Sequence, residues 1–493
     1  MKDVSLERAS RPQTLTGYLS SVTWKQGPTA FFSHGVPFSY GVGPTLARRI
    51  WAAYRSVYTH SHVKGLEIGA GLGYLSKQCL EIAGSDISQW HVSDASSVLV
   101  DHWKSAQTFS QYPQATLGIQ TLALPFVSPA RVDLIVMSYI VDSTPTCHLE
   151  WDNGRLYEWV ITTQISDMPV AVMTEGDPPV MTLPAQTLWA QWDAYAETDI
   201  PWLAPRLSRA CHETWHRIPV QESRCLSSAD RAFLTSFWKD MGCPNMRLNY
   251  PLMLRTRLPE LMATLSPHGM IALHDFGYQA TAGAAMTEDL CTSFGTIQAY
   301  PLCFPLIAWL AKSAGLFFQI SEAPEGESAL CLLSKQPLPE TWWAEDALHI
   351  QAHSLQTRLQ DMAQYPEKHM DTAIPAYGDY ALMAHRAAYA MTTTDKVFWL
   401  QKALSDYPDL AIPSYAQYAE ILVEKGDSVA ALAMILEAVS RFPLDPTLAL
   451  SLGNLYVREK QFPEALSVFQ GSIRRLDAPL VWQVLKLMAL LRC

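Results

Sequence analysis

The stretch at residues 66–75, Leu-Glu-Ile-Gly-Ala-Gly-Leu-Gly-Tyr-Leu, constrains the fold of this chain more than any other. An apolar run that ends in glycines and resumes as a helical pattern predicts a buried strand, a tight turn and a helix. Glycines let the backbone turn sharply, or let a ligand approach where a Cβ would collide. Because a helix start offers free N–H groups and a positive dipole end, this turn predicts a nucleotide-type pocket.

The glycine spacing excludes two common nucleotide-binding loops. A dinucleotide loop has the pattern G-x-G-x-x-G, but Tyr74 stands where its third glycine would fall. A Walker loop needs a lysine that is absent here. The pattern E-x-G-x-G-x-G instead resembles motif I of the class I S-adenosylmethionine (SAM) methyltransferases. This resemblance implies that Glu67, Gly69, Gly71 and Gly73 bind SAM, and a tight turn without a ligand is the alternative.

Strands and helices alternate after the glycine stretch, which predicts an α/β Rossmann-like domain. We expect strands at 63–68 and 89–92 with a helix at 74–83 between them, and the second strand leads to Asp94. A carboxylate at the end of the second strand is where open α/β sheets hold a pair of ribose hydroxyls. Further strands are expected at 132–137, 270–273 and 329–334, and further helices at 98–108 and 304–312.

Composition narrows the partners and the compartment. With 493 residues, 49% of them hydrophobic, the chain can build two or three domains. A net charge of −11 argues against general nucleic-acid binding. The richest apolar run, at 302–316, is broken by Pro305, Lys312 and Gly315, so we expect no membrane span. The nine scattered cysteines form no C-x-x-C pair, which favours free thiols in the cytoplasm and no bound metal.

The C-terminal part has a purely helical pattern after a polar, proline-spotted linker at 339–376. Gly453, Tyr456, Ala465 and Phe469 resemble the packing positions of a tetratricopeptide repeat, and similar residues occur 34 positions earlier. We therefore expect tetratricopeptide-like helical repeats at 377–493. Their function would be to bind a protein partner or substrate, and the alternative is a helical domain that stabilises the core.

Several further segments, in order over residues 35–280, resemble the MidA-like methyltransferases. That family includes the mitochondrial complex I assembly enzyme that methylates a protein arginine. The sequence at 94–96, Asp-Ala-Ser, is similar to the family's V-E-P-S, and 273–278, Leu-His-Asp-Phe-Gly-Tyr, to its L-I-D-Y-G-Y. Similar segments lie at 38–48, 132–145 and 151–160. The resemblance implies a ribose-binding role for Asp94.

Two other carboxylates are candidates for catalysis. Asp142 is the best candidate for a substrate-facing acid or base, and Asp275 follows a later strand on the cofactor side of the sheet. Asp142 could instead cap a helix, and Asp275 could hold a turn.

The chain departs from the family at Ser138 and Tyr139, where the family has Asn-Glu. Since a tyrosine pKa is ordinarily ~10, Tyr139 cannot take a proton at neutral pH. SAM binding is therefore better supported than arginine methylation.

Two motifs are expected to be fortuitous. The sequence at 212–216, His-Glu-Thr-Trp-His, matches the H-E-x-x-H pattern of zinc proteases, but Pro219 would end the required helix. A zinc hydrolase is therefore a weaker alternative. The sequence at 177–180, Asp-Pro-Pro-Val, resembles the D-P-P-Y loop of amino methyltransferases, but it lies too far from the glycine stretch and lacks the aromatic residue.

These patterns together predict a SAM-dependent methyltransferase domain at 61–338, with an aromatic-rich insert at about 150–235. It follows an N-terminal helical segment at 1–60. The helical repeats would recruit a protein substrate. The alternative is a SAM-binding but catalytically degenerate scaffold protein. The methyl acceptor (an arginine, another nitrogen or a small molecule) and the oligomeric state, including a homo-oligomer, stay open.

Overall fold

The secondary structure alternates in the middle of the chain and is helical towards its end. The computed structural model describes residues 2–3, 14–33, 44–122, 131–173, 180–279, 290–321, 328–339, 390, 392–406, 408, 412–476 and 478–492. The strands are β1 (Lys2–Asp3), β2 (Val63–Ile68), β3 (Ile87–Asp94), β4 (Ala115–Ile119), β5 (Val132–Ser138), β6 (Cys147–Asp152), β7 (Arg155–Ile165), β8 (Pro169–Met173), β9 (Val180–Pro184), β10 (Cys211–Pro219), β11 (Asn245–Tyr250), β12 (Leu265–Tyr278), β13 (Thr292–Phe294), β14 (Ile297–Ala299), β15 (Leu302–Cys303), β16 (Phe317–Ile320) and β17 (Ser328–Ser334).

The helices lie before, between and after these strands. They are α1 (Leu15–Thr23), α2 (Pro28–Ser33), α3 (Pro44–Val57), α4 (Tyr74–Ala83), α5 (Ser97–Ser105), α6 (Ala185–Ala190), α7 (Ile200–Ser208), α8 (Ser228–Met241), α9 (Leu252–Thr264), α10 (Phe304–Ser313), α11 (Thr393–Asp406), α12 (Ile412–Glu424), α13 (Ser428–Arg441), α14 (Pro446–Arg458), α15 (Phe462–Ser472) and α16 (Ala478–Arg492). Nearly all of the predicted linker, the segment 38–43 of the family-like stretch and Asp177-Pro178-Pro179 lie outside the described residues.

The central sheet has the strand order β4-β3-β2-β5-β12-β17-β16, and the short β15 also pairs with β12. The strands from β4 to β12 pair in parallel. At the other edge β17 and β16 pair in antiparallel fashion, as edge strands of doubly wound sheets often do. The parallel strands, with helices on the sheet, confirm the α/β part of the prediction.

Helices cover both faces of the central sheet, which explains its near-continuous apolar strands. Along β5, Leu134 and Val136 face one core with α3 and α4, whereas Ile135 and Met137 face another core with α9 and α10. All four side chains are almost fully buried. Because β-strand side chains alternate between faces, a strand buried on both sides must be apolar at every position.

A second, antiparallel sheet occupies the region of the predicted aromatic insert. Its strand order is β1-β7-β6-β11, and β10 also pairs with β7. One face of this sheet packs on α8 through Leu234, Phe237 and Trp238. Apart from β1, its strands lie between β5 and β12 in the chain, so the sheet is attached to the carboxyl edge of the central sheet.

The C-terminal helices pack on one another in sequence, from α11 to α15. Gly453 of α14 faces Phe469 of α15 so closely that a Cβ at 453 would lie 2.3 Å from the aromatic ring. Ala465 and Phe469 are fully buried. The sequence therefore placed two contacting packing positions correctly, while the assignment of these helices as tetratricopeptide repeats stays a prediction. No helix among the described residues is both long and apolar enough to cross a membrane.

The C-terminal helices also pack against the rest of the chain. The Asp445 carboxylate, at the start of α14, accepts a 3.3 Å hydrogen bond from the Thr29 hydroxyl. The Phe442 ring stacks on His102 of α5 with ring centres 5.5 Å apart. Arg206 of α7 donates to the backbone carbonyls of Ala171 and, from its other nitrogen, Leu476. These contacts support a stabilising role for the helices, whatever they also bind.

The close crossing of α14 and α15 gives a test by matched glycine substitutions. Gly453→Ala should lower the free energy of unfolding by about 1–3 kcal/mol, because its Cβ would collide with Phe469. Gly471→Ala, where a Cβ would meet nothing within 4 Å, should be neutral or stabilising by up to about 1 kcal/mol. Thermal unfolding followed by far-ultraviolet circular dichroism measures both. Equal melting temperatures for the two variants would contradict the close crossing.

Candidate functional site

The candidate site lies at the carboxyl ends of β2, β3 and β5. The chain runs outward from β2 through β3 to β4 and then crosses to β5 on the other side of β2. Ligands of open α/β sheets bind in the crevice at such a switch point. The glycine loop at 69–73 follows β2, Asp94 ends β3, and Tyr139 follows β5. Three of the sequence-predicted features therefore meet at one crevice.

The three glycines of the loop all have positive φ angles, +71° at Gly69, +56° at Gly71 and +81° at Gly73. Only glycine adopts this conformation without a steric cost. A Cβ at Gly69 would also lie 1.9 Å from the side chain of Ile140, which follows β5. The loops after β2 and β5 therefore approach each other more closely than any other residue at 69 would allow.

Asp94 fastens the glycine loop to the end of β3. The Gly71 amide donates a 3.0 Å hydrogen bond to one carboxylate oxygen, and the Ser96 amide donates a 2.9 Å bond to the other. Burial raises the pKa of Asp94 to about 6, and the amide donors oppose that rise. The Ala95 amide bonds to this carboxylate too, so three of its roughly four acceptor positions are taken and about one stays open for a hydroxyl group.

Glu67 ties β2 to the helix that follows the loop. It is 1% exposed, and the hydroxyl of Ser76 in α4 donates to its carboxylate. Ser76 in turn accepts a 2.7 Å hydrogen bond from the Trp90 indole. Burial raises the pKa of Glu67 to about 7. Because these contacts hold the Glu67 carboxylate against α4, they favour ordering of the glycine loop over a direct contact with a ligand.

The structure brings Asp142 and Asp275 together. The amides of Val141 and Asp142 both donate 3.2 Å hydrogen bonds to one oxygen of Asp275, and the Phe276 amide donates to the other at 3.0 Å. Asp275 is fully buried, and burial followed by the charge of Asp142 raises its pKa well above the ordinary value. Asp275 thus holds the turn after β5, which was the alternative expected for it.

Asp142 is better placed for chemistry. The Ser143 hydroxyl donates a 3.0 Å hydrogen bond to its carboxylate. Burial raises the pKa of Asp142 to about 7. A carboxyl group that titrates near neutral pH can both take and return a proton under working conditions. Asp142 begins no helix, so the alternative of a helix cap does not apply.

Tyr139 occupies a strained position at the crevice. Its φ is +53°, which is rare for a residue with a Cβ and is found most often at functional sites. Its amide donates to the His274 carbonyl at 2.8 Å, and its hydroxyl lies 2.6 Å from that of Ser328. Burial, followed by the positive charge of Arg49, lowers the pKa of His274 to about 3, so His274 is neutral. No motif signalled this geometry.

An aromatic group beside the Asp142 turn was also missed by sequence reasoning. The Tyr300 amide donates a 2.8 Å hydrogen bond to the Asp142 carbonyl. The His148 ring lies 5.2 Å from that of Tyr300 and 4.9 Å from that of Trp215. These residues come from β6, β10 and the segment before β15. Only the pairing of distant strands unites them, so no local pattern could have shown it.

The H-E-x-x-H sequence lies on strand β10 and not on a helix. His212 and His216 are exposed and, being four residues apart on a strand, are separated by about 13 Å. One ion cannot bind both side chains at that distance. Between them, Glu213 accepts a hydrogen bond from Thr16 of α1. The geometry therefore gives the zinc-hydrolase alternative no support, and the motif is fortuitous, as expected.

Comparison with known proteins gives distant structural likenesses. Neither a protein-family model nor a curated protein matches the chain. An uncharacterized protein from Burkholderia thailandensis is 13% identical, with a TM-score of 0.37, over 66% of this chain and 94% of its own. A second protein of that organism was solved with S-adenosyl-homocysteine bound. It is 12% identical, with a TM-score of 0.37, over 66% of this chain and 95% of its own. A SAM-dependent methyltransferase from Aquifex aeolicus is 8% identical, with a TM-score of 0.28, over 62% of this chain and 97% of its own. Structural similarity at this level of identity and TM-score does not establish the function of the chain.

The buried carboxyl of Glu67 makes stability depend on pH. Its pKa rises from 4.5 to about 7 on folding, so the folded state holds this proton over a range where the unfolded chain has lost it. The protonated Glu67 carboxyl therefore contributes to the free energy of unfolding in full below about pH 4.5, and this stabilisation is lost as the pH rises through about 7. Glu67→Gln should therefore flatten the decline of the free energy of unfolding between pH 4.5 and 7, measured by urea titration. Glu420→Gln, at an exposed position, should keep the wild-type slope. Identical slopes for wild type and Glu67→Gln would contradict this assignment.

Proposed function

We propose that this chain is a SAM-dependent methyltransferase. The observation that carries the proposal is the glycine loop with three positive φ angles, fastened through the Gly71 amide to Asp94 at the switch point. Two buried carboxyl groups, Glu67 and Asp94, lie at this loop. They would repel a phosphate, whereas a ligand with ribose hydroxyls and cationic groups suits them. The motif resemblance to class I methyltransferases agrees with this choice.

The chemical groups of the site suit the groups that SAM carries. Gly69, Gly71 and Gly73 offer bare backbone at the crevice, and Asp94 keeps an open acceptor position for a hydroxyl donor. Bound SAM would supply a methyl group on a positively charged sulfur. The chain's own part in such a transfer is to orient the acceptor and to exclude water, because the reaction needs an in-line approach.

Asp142 is the residue we propose as acid or base. A nitrogen acceptor that arrives as a cation must lose a proton before its lone pair can take the methyl group. The Asp142 carboxylate, with a pKa of about 7, can take that proton. Asp275 would act as a positioning residue, since its hydrogen bonds fix the turn that carries Asp142.

The acceptor that we propose is a protein recruited by the C-terminal helices. Of the large apolar side chains that are exposed in the described residues, more than half lie on these helices: Phe398, Val429, Leu436, Phe462, Leu480 and Leu490. These exposed apolar side chains are available for contacts with another protein. The finer proposal, membership of the MidA-like family, rests on the motif resemblance. Arginine as the acceptor is less supported because Tyr139 replaces the family's carboxylate.

A SAM-binding scaffold without catalysis is the second candidate. Tyr139 favours it, because its side chain offers no proton acceptor at neutral pH and bonds to Ser328 instead. Label transfer from methyl-labelled SAM to proteins of a cell lysate separates the two candidates. Binding of SAM with no transfer to any lysate protein would favour the scaffold.

Asp94 gives the most direct test of cofactor binding. Isothermal titration should detect SAM binding to the wild type, and Asp94→Asn should weaken it at least about tenfold, because hydrogen bonds to a charged acceptor are worth more than neutral ones. The affinity should rise with pH through about 6 as Asp94 ionises, and the variant should lose this step. Asp101→Asn, at an exposed position on α5, serves as the control. Equal affinities for the wild type and Asp94→Asn would contradict the site.

Asp142 gives a separate test of catalysis. Asp142→Asn should reduce the rate of label transfer by about 100-fold, the usual contribution of an acid or base, while the dissociation constant for SAM stays unchanged. Asp240→Asn, at an exposed position on α8, should leave both quantities unchanged. Wild-type rates in Asp142→Asn would show that this carboxyl takes no part in proton transfer.

A further inference from the structure

The second sheet has a buried face that is apolar except at one place. Cys147 and Leu149 of β6 point to this face, since strand side chains alternate, and Glu158 of β7 pairs directly with Leu149. Cys147 and Glu158 are therefore diagonal neighbours on the same face. That face packs on α8, and the surrounding core is built from leucine, tryptophan, phenylalanine and methionine side chains.

A second thiol approaches this place from outside the sheet. Cys225 lies in the turn between β10 and α8, and its amide donates a 3.1 Å hydrogen bond to the Ser223 hydroxyl. The sulfur atoms of Cys147 and Cys225 and a carboxylate oxygen of Glu158 all lie within 4.8 Å of one another. Three donor atoms from three separate elements thus converge in a core that is otherwise apolar.

One oxygen of this cluster needs a partner. Glu158 is 6% exposed, and its Oε2 atom has no hydrogen-bond partner among the described residues. A buried carboxyl oxygen without a partner destabilises the fold. Ser223 and Cys225 hydrogen-bond to the Glu158 side chain, so the open position is at Oε2 alone. A cation bound between the carboxylate and the two sulfurs would satisfy this oxygen, and neither thiol can do so as well, because S–H groups are weak donors.

We propose that Cys147, Glu158 and Cys225 bind a Zn²⁺ ion. Zn²⁺ takes thiolate sulfurs and carboxylate oxygens in tetrahedral geometry, and three protein ligands leave the fourth position for a water molecule, as in open zinc sites. Soft thiolate ligands disfavour Mg²⁺ and Ca²⁺. Binding releases the two thiol protons to solvent, so the metal affinity increases with pH.

The position of this site explains what the ion would do. It would join the turn at 220–226 to β6 and β7, and β6 begins five residues after Asp142. On the opposite face of β6, His148 contacts Trp215 and Tyr300 beside the Asp142 turn. The ion would therefore hold the strand on which that aromatic group is built. This proposal is independent of the proposed methyltransferase activity, and no sequence pattern indicated it.

Metal analysis of the full-length protein, purified without a histidine tag, tests the proposal. Mass spectrometry of the acid-digested protein should find about one zinc per chain. Cys225→Ser and Glu158→Gln should each reduce the zinc content to background. Cys243→Ser is the matched control, because Cys243 packs against the same core but lies outside the cluster, and it should keep the wild-type zinc content.

A second measurement on the wild type avoids dependence on variants that fail to fold. After exchange with Co²⁺, the protein should show a thiolate-to-cobalt charge-transfer absorption. Zinc should protect Cys225, but not the similarly accessible Cys243, from alkylation until a chelator is added. A protein with no zinc as purified and none after incubation with Zn²⁺ under reducing conditions would overturn the proposal. A Cys147–Cys225 disulfide found by peptide mapping of the native protein would also overturn it.

Discussion

The hydrogen bond from the Gly71 amide to the Asp94 carboxylate is the contact on which the proposed cofactor site depends. It joins the loop after β2 to the end of β3, where the Asp94 side chain is buried. Gly71 makes this bond with a positive φ angle, which glycine adopts without a steric cost. Without the bond the loop would lose this tie to β3. The Asp94 carboxylate keeps an open acceptor position beside its amide bonds, so we propose that one group both shapes the loop and binds the ligand.

Buried carboxyl groups surround this contact, and each of them destabilises the fold when it is charged. Burial raises the pKa of Glu67 and Asp142 to about 7 and that of Asp94 to about 6. Such groups usually persist in proteins where function requires them. All of them bond to neighbouring parts of the fold, and Glu67, Asp94 and Asp275 shape the loops. We propose that Asp94 also binds the ligand and that Asp142 exchanges a proton with the acceptor.

Sequence analysis correctly predicted those strands and helices whose boundaries are set by neighbouring residues. The strand at 63–68 and the helix at 74–83 were correct to the residue, because glycines at 69–73 mark the boundary between them. The strand expected at 270–273 is longer, Leu265–Tyr278, and the edge strands β4 and β16 were missed because exposed edge residues break the apolar pattern. The candidate site residues Glu67, Asp94, Asp142 and Asp275 were named from motifs and strand ends, and their roles stay predictions. The Tyr139 backbone strain, the aromatic group and the cysteine cluster arise from pairing of distant strands, which no local pattern encodes.

A crystal structure of the protein with S-adenosylhomocysteine tests the central claim most directly, since it shows where the ligand lies. The ligand should occupy the crevice at the carboxyl ends of β2, β3 and β5. Its ribose hydroxyls should lie within hydrogen-bonding distance of Asp94, and its backbone contacts should come from the loop at 69–73. A ligand bound elsewhere on the chain, or one in this crevice that makes no contact with Asp94, would contradict the account.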